Sequence, residues 1–79
     1  MIDDPARLRR AMVEALSASR WEEALPLVEA WCERFPEHAK SWLNRGYCLV
    51  KLGRFEEAAA AFERCLEIDP SFSKARSWR

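Results

Sequence analysis

The chain has 79 residues, 49% of them hydrophobic and 33% charged, with only two glycines and four prolines, a balance that suits one small helix-rich domain and excludes disordered or low-complexity classes. Thirteen basic residues offset thirteen acidic ones and the pI is near 6.6, so net charge carries no nucleic-acid or membrane signature. Charged and polar residues interrupt every apolar stretch well short of the ~20 needed to cross a bilayer, and Met1-Ile2-Asp3-Asp4-Pro5 has none of the character of a signal peptide.

Punctuation and period predict four helices and no strands. Asp4-Pro5 starts the first: Asp caps orphan amides, and proline is tolerated in the opening turn. Leu8, Ala11, Met12, Ala15 and Leu16 then recur at helical spacing, so the segment runs from Ala6 to Ala18. Ser19-Arg20-Trp21-Glu22 has the form of a capping box, which predicts that Ser19 caps a second helix from Trp21 to Arg34. Its apolar positions are Ala24, Leu25, Val28, Trp31 and Cys32. Pro26 lies about two turns in, where it removes a hydrogen bond, and a local bend is expected. Phe35-Pro36 ends the helix, because the residue before proline is pushed out of the helical region. A third helix from Ala39 to Leu52 carries Trp42, Leu43, Gly46, Leu49 and Val50. The fourth, from Phe55 to Ile68, carries Ala58, Ala61, Phe62, Cys65 and Leu66.

Cys32, Cys48 and Cys65 form no Cys-x-x-Cys pair, and nothing nearby marks a lowered thiol pKa. They read as small apolar residues on helix faces in a reducing, cytoplasmic compartment. His38, the only histidine, sits at a helix start with no second ligand at metal spacing. No side chain pairs with a base at a catalytic spacing, and there is no glycine-rich phosphate loop, so neither an enzyme nor a cofactor is expected.

Sliding the chain along itself by 34 residues pairs Arg20, Glu22, Glu23, Ala24, Glu29, Glu33 and Pro36 with Arg54, Glu56, Glu57, Ala58, Glu63, Glu67 and Pro70, without a gap. In the second unit Trp42, Gly46, Leu49, Ala58, Phe62 and Pro70 stand at the spacing of a tetratricopeptide repeat, which the chain resembles from residue 5 to 72. Arg45 stands where that family usually has Leu, and Leu49 where it often has Tyr. The resemblance implies an all-α fold: two antiparallel hairpins stacked in a right-handed solenoid, with a partial C-terminal capping helix. Residues 1–79 would form one domain, with repeats 5–38 and 39–72 and a short capping segment 73–79. Gly46 and Ala58 would let the helices of a hairpin approach closely. Trp31 falls where Cys65 sits one period later, a place the family keeps for small residues.

Charge segregates by helix. Arg7, Arg9 and Arg10 against Glu14 leave the first helix at +2, and Lys40, Arg45 and Lys51 leave the third at +3. Four glutamates against one arginine leave the second and fourth at −3 each. The resemblance implies that the first helix of each repeat lines a concave peptide-binding groove, here Arg9, Arg10, Val13, Lys40, Asn44, Tyr47, Lys51 and Lys74. Such a wall suits an acidic or carboxylate-bearing peptide or protein. One branch of the family clamps a C-terminal carboxylate with Lys, Asn, Asn, Lys and Arg; the matching places hold Arg9, Val13, Asn44, Lys74 and Trp78, so Val13 and Trp78 depart from it.

The leading expectation is thus a protein-interaction module, with no nucleic-acid or membrane partner. The alternative is an oligomerising scaffold. Only a short segment follows the second unit, and Phe72 and Trp78 offer an apolar face that a second copy would cover in a homodimer.

Overall fold

A computed structural model describes residues 4–72. Four helices follow one another: α1 (Pro5–Ser17), α2 (Trp21–Arg34), α3 (Ala39–Lys51) and α4 (Phe55–Ile68), with no strand among the described residues. Each helix packs on the next in sequence, α3 on α4 most extensively, giving two hairpins joined through α2 and α3. The core is a continuous layer that includes Met12, Ala24, Val28, Cys32, Cys48, Leu49, Ala58, Phe62 and Cys65. Its apolar surface supplies most of the stability, since isolated helices of this length are marginal in water.

The helix ends obey the 34-residue period in detail. α1 ends with Ser19 donating to the Leu16 carbonyl and Arg20 to that of Ala15, at 3.1 and 2.9 Å. α3 repeats the pair: Gly53 donates to Val50 and Arg54 to Leu49, at 3.0 and 2.8 Å. Both are Schellman closures, which need a left-handed residue just past the helix. Ser19 (φ 58°) and Gly53 (φ 78°) supply it.

That geometry corrects the reading of Ser19 as a helix cap. Ser19 belongs to the closure of α1, the N-cap of α2 is Arg20, and no side-chain hydrogen bond caps that end. Glu22 and Glu23 sit in the first turn instead, as Glu56 and Glu57 do in α4, where carboxylates favour the positive end of the helix dipole. Asp4 does cap α1, accepting from the Ala6 amide at 2.9 Å. Pro26 is exposed and α2 continues through it from Trp21 to Arg34.

Between the hairpins, Trp42 at the start of α3 donates its indole N–H to the Pro36 carbonyl at 2.9 Å. The guanidinium groups of Arg45 and Arg64 stand 5.2 and 5.9 Å from its ring centre. Arg45 also reaches back to Glu29 on α2 at 3.3 Å. Arginine at this position therefore ties the second hairpin to the first through an ion pair, which leucine could not make. The expected capping segment 73–79 lies outside the described residues.

Candidate functional site

The first helices of the two hairpins, α1 and α3, flank a cleft of about 350 Å³ whose wall includes the end of α2. α1 contributes Arg9, Met12, Val13 and Leu16, spaced three and four residues apart so that they share one helix face. α3 contributes Lys40 and Asn44 from the same spacing, preceded by His38 at its N-cap. Trp31 of α2 completes the lining.

Four of the expected groove residues thus meet in one place: Arg9, Val13, Lys40 and Asn44. Arg9 and Lys40 are exposed cations, Asn44 is half-buried, and Val13 keeps 47% of its surface accessible. No carboxylate lines the cleft among the described residues, so both charges lining it are positive.

Tyr47 and Lys51 form a separate group toward the end of α3. The Tyr47 ring meets Trp21 edge-on with centroids 5.3 Å apart, and the Lys51 ammonium stands 5.4 Å from the Tyr47 ring centre. The tyrosine hence joins α2 to α3, although 48% of it remains exposed. Arg10 is exposed on α1 and does not line the cleft. Lys74 and Trp78 lie outside the described residues. Phe72 is half-buried and packs against the chain's own core.

Sequence reasoning missed Trp31, His38, Met12 and Leu16 as cleft residues. His38 shares a hydrogen bond through Nδ1 with the hydroxyl of Ser41, a fully buried polar side chain. That contact fixes the ring at the mouth of α3. Trp31 packs on Phe35, with centroids 4.6 Å apart, and meets His38 edge-on at 6.2 Å. Its Nε1–H is buried and finds no acceptor among the described residues. The detectable signal was the mismatch of Trp31 with Cys65 across the period.

The three thiols are free and buried. Burial pushes Cys32 and Cys48 up to about 11, the first against the opposing pull of Arg45, and raises Cys65 as well. None is a thiolate near neutrality, so they are packing groups rather than nucleophiles.

Residues 39–72 match the family model of the tetratricopeptide repeat. The fold agrees with that of the TPR2B-domain:pHsp70 complex of yeast Sti1, with a TM-score of 0.82 and 33% identity, over 89% of this chain and 56% of that one. The chain belongs to the tetratricopeptide-repeat family. Among curated relatives, Hsp70-Hsp90 organizing protein 1 of Glycine max is 36% identical over 61 residues, 77% of this chain. Protein SGT1 homolog of Bos taurus is 31% identical over 70 residues, 89% of this chain. The tetratricopeptide-repeat chain spans only 11% of the first of these and 21% of the second. No helix among the described residues is long and apolar enough to cross a membrane.

Proposed function

We propose that this chain is a protein-interaction module that holds an acidic or carboxylate-bearing segment of a protein partner in the cleft between α1 and α3. The convergence of Arg9, Lys40 and Asn44 on a cleft lined by no carboxylate carries the reading. Two cations and an amide offer charge-assisted and neutral hydrogen bonds to a carboxylate, and low competition from nearby acids keeps them available. Arg10, Tyr47 and Lys51 would add contacts to an acidic chain that runs past the cleft, and Lys74, outside the described residues, belongs to the same expected set. The resemblance to a repeat domain found in complex with pHsp70 supports a peptide as the ligand.

On this reading the module binds and does not catalyse. Residues 1–79 act as one domain, with repeats 5–38 and 39–72, in the reducing cytoplasm that suits three free thiols. The test is fluorescence anisotropy with labelled acidic peptides and a neutral control of equal length. Arg9→Glu combined with Lys40→Glu should weaken acidic-peptide binding at least tenfold while leaving the helical circular-dichroism signal intact, because both side chains are exposed. Unchanged affinity would remove the cleft from the reading.

A further inference from the structure

Histidine is the side chain whose charge changes between about pH 5 and 8. The chain has one, His38, and it lines the cleft together with Arg9 and Lys40. The residue is exposed, yet its ring is held in place. Nδ1 shares a hydrogen bond with the hydroxyl of Ser41, a side chain fixed by complete burial, and the ring meets Trp31 edge-on at 6.2 Å. A hydroxyl can donate or accept, so the contact survives a change of charge: Ser41 donates to the neutral ring and accepts from the imidazolium. Nε2 has no hydrogen-bond partner among the described residues, which leaves that nitrogen for a ligand.

The surroundings of the ring favour an arriving anion. Arg9 of α1 and Lys40 of α3 are the charged residues that line the cleft with it, while α2 presents the uncharged Trp31 and α4 no residue. Glu37, its neighbour in the chain, and Glu33 and Arg34 at the end of α2 are exposed and lie outside that lining. His38 is also the N-cap of α3, at the positive end of the helix dipole, with no side-chain hydrogen bond to the helix. A third cation among these positive groups becomes favourable once a carboxylate sits between them. Protonation and the binding of an acidic ligand therefore support each other.

We infer that His38 is a third, proton-dependent contact of the cleft: as an imidazolium it donates from Nε2 to a carboxylate of the bound acidic segment, so that binding takes up a proton and tightens as the pH falls. The inference rests on the acidic-peptide reading above and adds its regulation.

The probe is an N-acetylated acidic peptide with a free C-terminal carboxylate, and a neutral peptide of equal length serves as baseline. Free carboxylates titrate near about pH 4, below the range scanned. At constant ionic strength the intact chain should bind the acidic peptide about fivefold more tightly at about pH 5.5 than at about pH 7.5, the scale of one added ion pair at a solvent-facing site. His38→Gln should hold the weaker affinity at both values, and His38→Lys, which places a fixed cation there, should hold the tighter one. Circular dichroism checks that both variants fold, as an exposed position allows. NMR titration of the single imidazole in the intact chain needs no variant: saturating acidic peptide should move its midpoint to higher pH. Acidic-peptide affinity that exceeds the baseline but does not change with pH, or an unmoved midpoint, overturns this inference and leaves the acidic-peptide reading standing. A pH dependence that survives in His38→Gln overturns the assignment to this ring. Acidic peptides no better than the neutral one at either pH overturn that reading and the inference with it.

Discussion

Gly46 faces the ring of Phe62 so closely that a Cβ on residue 46 would stand 2.6 Å from Cε1 and 2.8 Å from Cδ1 and Cζ. The contact joins α3 to α4, the most extensive helix pair of the fold, and it works only because residue 46 has no side chain. Phe62 is buried, with 3% of its surface exposed, so the ring cannot swing out to solvent without uncovering the core.

Gly46→Ala therefore sets two effects against each other. Alanine favours a helix interior over glycine by about 1 kcal/mol, while forcing a methyl group into a packed core costs about 1–3 kcal/mol. The clash should win, with a net loss of up to about 2 kcal/mol read from urea denaturation. In a Phe62→Leu background the same substitution should cost less, since the smaller side chain vacates the ring's volume. An undiminished cost in that background would detach the effect from the ring.

Ser19 and Gly53 test the period at a different level. Both hold a left-handed conformation in identical closures, yet only one is glycine. A Cβ at residue 53 would meet nothing within 4 Å, so Gly53→Ala loses stability through the backbone alone, by about 1 kcal/mol. Ser19→Gly should gain about 0.5–1 kcal/mol for the mirrored reason, and both shifts should appear in thermal melts. A stabilising Gly53→Ala would contradict the strain argument.

The same residue marks where sequence reasoning reached its limit. Ser19-x-x-Glu22 satisfies the pattern of a capping box, but the pattern does not say which side of the turn owns the serine. The 34-residue alignment does say it, because Ser19 pairs with Gly53, and a glycine before Arg54 is a helix closure rather than a cap. Helix boundaries were legible for a related reason: proline, glycine and acidic first turns act locally. The cleft was half legible. Arg9, Val13, Lys40 and Asn44 lie at helical spacing on two first helices, so the period brings them together. The contact of Tyr47 with Trp21, on another helix, was not legible, because tertiary packing rather than the period brings the two rings together. Trp31 reaches the cleft for the same kind of reason, through a size mismatch that the sequence flagged without locating.

The buried thiols predict an alkaline limit on stability. Cys32 and Cys48 stay protonated in the folded chain up to about pH 11, whereas an exposed thiol ionises near 9.0. Between those values the unfolded chain releases protons that the folded chain keeps. Stability from this source is therefore whole below pH 9 and is lost as pH rises toward 11, by roughly 2–3 kcal/mol for each thiol. A variant isolates the contribution of the thiols. Under reducing conditions, the urea midpoint of the intact chain should fall between pH 8 and 10.5, and Cys48→Ala should show a shallower decline. The alanine leaves a small void whose cost does not depend on pH, so only the slope reports the thiol. Parallel declines in the two proteins would detach the alkaline loss from Cys48.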